Sequence, residues 1–247
     1  MKRKRLGQCF LGSHAILRKE ASVADVTGKS IIEIGAGDGR LTQKLLEKKP
    51  AKIIAVEKDA KYAQLLRNRF ANEPRVEIVE GDFLEMEFPP VDRIIGNIPY
   101  YITSPIVFRL KEMQWERAVL MVQKEFADKM LAKPNEKNYG RLSVTAQLAF
   151  GITYVQTVPK GFFSPQPKVD SAIIMLRPSG YKLPATSQDI IRLLFQHKNQ
   201  TVRNALKHGG VKADEKLEDW SQRRVRTLAP AECLQLARAL ERWQPAG

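Results

Sequence analysis

The stretch Ser30-Ile31-Ile32-Glu33-Ile34-Gly35-Ala36-Gly37-Asp38-Gly39-Arg40-Leu41 decides the fold. It begins as a short apolar run suited to a strand, passes through glycines at alternate positions, and resumes in a helical pattern. Glycine lets the backbone turn tightly and approach a ligand that side chains would exclude. The spacing is G-x-G-x-G, with Arg40 where a dinucleotide-binding turn places its last small residue. Taken alone, such a turn is also an ordinary strand-to-helix connection, and it leaves a dehydrogenase open.

From Ser30 to about Gln123, short apolar runs alternate with longer amphipathic ones. The pattern predicts strands at Ser30–Ile34, Ile53–Glu57, Val76–Glu80, Asp92–Gly96 and Ala118–Gln123, with helices at Leu41–Lys48, Ala60–Phe70 and Pro105–Glu112. Alternation of this kind implies βαβ units and a mostly parallel sheet, covered on both faces where a strand is wholly apolar. After a helical stretch at Leu142–Phe150, two further strands are expected at Ile152–Val158 and Ser171–Leu176. The Pro-rich segment between them is too short for a crossover helix, so the pair reads as an antiparallel edge.

The breaker-rich stretch Arg177–Ser187 reads as a linker, and helices are expected beyond it at Asp189–Gln196, Thr201–Lys207 and Ala231–Arg242. The expected architecture is α/β: a Rossmann-like sheet, mostly parallel with an antiparallel edge, over residues 1–180, then a small helical domain over 181–247.

With 41 Lys and Arg against 27 Asp and Glu, the 247-residue chain carries a formal charge of +14, which points to a polyanion, nucleic acid or an anionic membrane surface. A hydrophobic fraction of 43% excludes a wholly disordered or fibrous chain. No apolar run approaches the roughly 20 residues that span a bilayer. Lys2-Arg3-Lys4-Arg5 is basic but is not followed by a signal-like apolar stretch. Two cysteines and three histidines, scattered along the chain, show no zinc-type spacing. A reduced, metal-free, cytoplasmic monomer is expected.

Three predicted strands end in groups suited to a nucleoside. Beside the Gly35 turn, Glu57 can accept from both hydroxyls of a ribose. Asp82, in Gly81-Asp82-Phe83, can accept from an adenine amine, or it can cap the following turn. Phe83 or Ile34 can pack on a ring face. The conjunction resembles the class I S-adenosylmethionine-dependent methyltransferases. The fourth strand ends in Asn97-Ile98-Pro99-Tyr100. An exocyclic aromatic amine is a poor nucleophile because its lone pair is delocalised, so an enzyme that methylates it must aim acceptors at its hydrogens. The Asn97 amide oxygen and a carbonyl beside Pro99 can serve, with Tyr100 stacked on the base. Phe163, in Phe162-Phe163-Ser164-Pro165, can clamp the other face.

Here the resemblance narrows. The chain resembles the small-subunit ribosomal RNA adenine N6,N6-dimethyltransferases through Gly7-Gln8-Cys9-Phe10-Leu11, Glu33–Gly39, Asn97–Tyr100, Tyr139–Val144 and Phe163–Ala172, with fainter matches at Thr201–Leu206 and Arg226–Pro230. That resemblance implies dimethylation of two adjacent adenines in a hairpin near the 3′ end of small-subunit rRNA, within an immature ribosomal subunit. It places cofactor contacts on Cys9, Leu11, Gly35, Glu57, Asp82 and Asn97, with Asn97 also catalytic beside Tyr100 and Phe163. Cys9 departs from the family, which usually has Asn or His there, and a thiol is the weaker hydrogen-bonding group. Phosphate contacts are expected from Lys2–Arg5, Arg223, Arg224 and Arg226, and from Lys198 and Arg203. Two other readings remain open: a DNA adenine-N6 methylase, and an assembly factor that acts mainly by binding.

Overall fold

A computed structural model describes residues 9–181, 183–211 and 217–240. The expected strands appear as β2 (Ser30–Ile34), β3 (Lys52–Glu57), β4 (Val76–Glu80), β5 (Arg93–Asn97), β6 (Arg117–Gln123), β7 (Phe150–Val158) and β9 (Ser171–Pro178). They form one seven-stranded sheet in the order β4-β3-β2-β5-β6-β9-β7. The pairs β2–β3, β3–β4, β2–β5 and β5–β6 are parallel, and β9 runs antiparallel to β6. Ile31, Ile32, Ile53, Ile94, Ile95 and Leu120 are buried, as the continuous apolar strands require of a sheet covered on both faces. The chain steps outward from β2 to β4 on one side, then returns to β5 on the other. This reversal opens a crevice at the carboxyl ends of β2 and β5, where open α/β sheets bind ligands.

The helices expected between the strands form as α2 (Arg40–Leu46), α3 (Ala60–Arg69) and α4 (Thr103–Leu110), and the one before β7 as α6 (Arg141–Ala149). Two were not anticipated. Helix α1 (His14–Ala24) is capped by the Ser13 side chain and ends on Asp25 in the left-handed region, and α5 (Lys124–Leu131) follows β6 with no turn between them. A two-stranded ribbon was also unread: β1 (Phe10–Leu11) pairs antiparallel with β8 (Phe163–Ser164).

The contacts divide the chain into two compact units, residues 1–127 with 153–178 and residues 128–152 with 179–247. The second unit contains α7 (Ala185–Gln196), α8 (Val202–His208), a short α9 (Glu218–Ser221) and α10 (Pro230–Ala239). Compared with the expected division at residue 180, it also takes in residues 128–152. The cause is a shared core: Tyr139 and Val144 are buried with Ile190, Leu194, Leu206 and Leu236. The Tyr139 hydroxyl donates to the Leu228 carbonyl at 2.6 Å. The expected linker is shorter than its composition indicated, because β9 runs to Pro178 and α7 begins at Ala185. His197 and His208, far apart in sequence, stack with ring centroids 4.5 Å apart.

Candidate active site

The carboxyl ends of β2, β3, β4 and β5 open on a concave pocket. Gly35, Glu57, Asp82 and Asn97 line it, as do Cys9, Leu11, Tyr100 and Phe163. All eight expected site residues therefore face one space.

The glycine turn is tied down from its neighbour strand. The N–H groups of Gly35 and Ala36 both donate to the Val56 carbonyl, at 2.9 and 3.1 Å. Gly35 has φ +71°, a backbone conformation that favours glycine, and a Cβ there would project into open space. Glu57, at the end of β3, is buried, with one oxygen accepting the Gly37 N–H (2.8 Å) and the other the Asp59 N–H (2.9 Å). Those bonds fix the carboxylate and leave lone pairs for further donors. Asp82 caps the following turn, one of the two roles expected of it. Its Oδ1 accepts the Leu84 N–H at 3.0 Å and caps the turn, while Oδ2 pairs with Lys58 at the pocket wall. The Lys58 hydrogen bond holds the Asp82 carboxyl below its usual range.

Asn97 stands at the end of β5, where Asn97 pairs in register with Met121. Assigned by its hydrogen-bonding partners, its amide nitrogen donates to the carboxyl of Glu20, 2.8 Å from Oε1 and 3.1 Å from Oε2. Of the carbonyls beside Pro99, that of Pro99 itself accepts from the Ile102 N–H at 3.0 Å, which makes the Ile98 carbonyl the candidate second acceptor. The Tyr100 hydroxyl and the Ser171 hydroxyl are 2.7 Å apart, an anchor for the ring. Leu11 and Phe163 are register partners in the β1–β8 ribbon, which brings both to the pocket. Burial pushes the Cys9 thiol up, so it stays neutral.

Two buried acids escaped the sequence reading. Glu33, inside the quoted motif, is pushed up to about 8, chiefly by burial, and its Oε2 has no hydrogen-bond partner among the described residues. Glu20 is raised well above the ordinary range by burial first and then by Glu33, while the Asn97 hydrogen bond acts the other way. Each had a signal: Glu33 interrupts a run of isoleucines, and Glu20 lies on the apolar face of α1 with Ile16, Leu17, Ala21 and Ala24.

Among the basic candidates, Lys2–Arg5 lie outside the described residues. Arg223 and Lys198 have structural work: Arg223 pairs with both oxygens of Glu232, and the Lys198 ammonium donates to the carbonyls of Lys137 and Tyr139, each at 3.1 Å. Arg203 and Arg224 remain exposed. Among the described residues, no group of three or more His, Cys, Asp or Glu could hold a metal ion, and no helix is long and apolar enough to cross a membrane.

The family model described as ribosomal RNA adenine dimethylase matches residues 1–242. The chain belongs to the ribosomal RNA adenine dimethylase family. Within this dimethylase family, it is 39% identical to a Thermococcus kodakarensis protein named "Probable ribosomal RNA small subunit methyltransferase A", over 96% of this chain and 89% of that one. Among solved structures, a dimethyladenosine transferase from Plasmodium falciparum superposes with a TM-score of 0.83 at 30% identity, covering 94% of this chain and 98% of the other. The 23S rRNA methyltransferase ErmE superposes at 0.70 with 28% identity, covering 94% and 99%. The dimethylase sheet, with its glycine turn and Asn97 at neighbouring strand ends, is thus the scaffold of a methyltransferase that acts on rRNA adenine.

Proposed function

We propose that the chain transfers methyl groups from S-adenosylmethionine to N6 of two adjacent adenines, in a hairpin near the 3′ end of small-subunit rRNA within an immature ribosomal subunit. It acts as a cytoplasmic monomer. The observation that carries this reading is the convergence of the Gly35 turn, Glu57, Asp82 and Asn97 on one pocket.

The pocket fits the cofactor on two counts. The turn at Gly35 faces open space that a Cβ would intrude on, and the buried Glu33 Oε2, without a hydrogen-bond partner among the described residues, suits a cationic group. Glu57 would hold the ribose and Asp82 the adenine amine, the latter sharing its carboxylate with Lys58 or displacing it. Leu11 and Cys9 would line the methionine end. When bound, S-adenosylmethionine supplies an electrophilic methyl group on a sulfonium.

The remaining work belongs to the protein. Asn97 Oδ1 and the Ile98 carbonyl accept the N6 hydrogens and favour a pyramidal nitrogen whose lone pair is free to react. Tyr100, anchored on Ser171, stacks on the target base, and Phe163 packs on its other side. Neither acceptor is basic enough to keep a proton, so the one shed by N6 passes to water. Rate comes from proximity and orientation, without a covalent enzyme intermediate.

The test supplies labelled S-adenosylmethionine to immature small subunits, naked rRNA and duplex DNA, then analyses the nucleosides. Label in N6,N6-dimethyladenosine of the immature subunits is expected. Label in DNA alone, or no dimethyladenosine in any RNA, overturns the reading. Asn97→Ala should abolish transfer while the protein still binds the particle.

A further inference from the structure

Helix α1 buries a carboxyl group on its apolar face. Glu20 is fully buried there, between the turns that carry Ile16, Leu17 and Ala24. Removing a carboxyl group from water is unfavourable unless partners compensate it. Its partner is the amide of Asn97, whose nitrogen lies 2.8 and 3.1 Å from the two carboxyl oxygens.

A primary amide is nearly symmetrical in shape but opposite in chemistry at its two ends, one donating and the other accepting. Rotation about its last bond exchanges the ends at small steric cost. If nitrogen faced the pocket, Asn97 would point donors at an amine that itself presents hydrogens. We infer that Glu20 is a positioning residue that binds the nitrogen of the Asn97 amide and so keeps its oxygen for the N6 hydrogens of the target adenine. The inference rests on the proposed role of Asn97 as the N6 acceptor. The carboxyl group meets the amide nitrogen with both of its oxygens, which selects that end, whereas a glutamine at the same place offers a donor as well and can pair with either end. Burial and then Glu33 raise the Glu20 pKa, and the Asn97 hydrogen bond opposes them by favouring the ionised, acceptor-only form.

The full-length chain is assayed on immature small subunits with Glu20→Leu, Glu20→Gln and Asn97→Ala. The readouts are kcat, KM for the subunit, S-adenosylhomocysteine binding by calorimetry, and melting temperature. Glu20→Leu should lower kcat by between about tenfold and about a hundredfold, the cost of a misaligned reacting group. KM and cofactor-product affinity should hardly change, and the melting temperature should not fall, because leucine suits the apolar site. Glu20→Gln should give an intermediate kcat. The side-chain amide resonances of Asn97, identified by their loss in Asn97→Ala, should shift in the Leu variant.

Wild-type kcat in Glu20→Leu, with Asn97→Ala inactive, overturns the positioning role and leaves the role of Asn97 standing. Loss of kcat in step with melting temperature or calorimetric affinity also overturns it, in favour of a purely structural Glu20. If the Leu variant does not fold, Glu20→Gln decides, and wild-type kcat there overturns the inference. Methylation by Asn97→Ala overturns the underlying reading instead.

Discussion

Burial keeps Glu33 protonated up to about pH 8, while in the unfolded chain it ionises near its ordinary value of 4.5. Below the lower value both states hold the proton and the group adds no pH dependence. Between the two values the unfolded state releases a proton that the folded state retains, so stability falls as pH rises. Glu33→Gln should flatten this part of the profile, with a difference from wild type of a few kcal/mol between about pH 5 and about pH 8 in denaturant unfolding. Equal slopes in the two proteins would assign the dependence elsewhere. A positively charged cofactor beside Glu33 should also draw its proton off, visible as proton release when binding calorimetry is repeated in buffers of different ionisation enthalpy. Cys9 offers a second test of a single side chain. Its thiol is neutral and a weak hydrogen-bonding group, so Cys9→Asn should tighten S-adenosylmethionine binding by about 1 kcal/mol, roughly fivefold. Unchanged affinity would show that the methionine end does not depend on this position.

The elements that form the pocket floor were legible because their signals are local. Continuous apolar strands such as Ile53-Ile54-Ala55-Val56 and the glycine turn after Ile34 can be read without knowledge of the rest of the chain, and Gly35, Glu57, Asp82 and Asn97 follow from where those strands stop. Helix α1 was not legible, since a glutamate on its buried face breaks its apolar stripe. That omission hid Glu20, whose role depends on a partner on a distant strand. Helix α5 went unread because it begins directly after β6, and the β1–β8 ribbon because two-residue strands carry no periodicity. The turn itself can be tested as an element. Gly35→Ala requires an L-residue at φ +71°, a strain of about 1–2 kcal/mol, yet its Cβ meets no atom within 4 Å. The fold should survive with a modest fall in melting temperature while cofactor affinity drops by more than about tenfold, because the methyl group occupies ligand space. A loss of stability without loss of affinity would remove the turn from the binding site.

Over the whole molecule, an excess of +14 predicts RNA binding that weakens steeply with salt. Not every basic residue contributes. Arg203→Ala and Arg224→Ala, at exposed positions, should each reduce the slope of log affinity against log salt by about 1. Arg223→Ala should leave that slope unchanged and cost about 1 kcal/mol of stability, since its guanidinium is committed to Glu232 at the start of α10. Composition could count these charges but could not separate free arginines from those held by partners brought close only by folding. The β1–β8 ribbon has a consequence in time rather than in space. It joins Phe10 and Leu11 to Ser164 and Phe163, residues widely separated along the chain, and such non-local pairings close late because the intervening loop must first be ordered. On the ribosome, a nascent chain halted before Phe163 already holds the glycine turn and Asn97 but has no strand for β1 to join. One wall of its own pocket therefore cannot form until about two thirds of the 247-residue chain, as far as Phe163, has been synthesised on one ribosome, ahead of any work on the RNA of another.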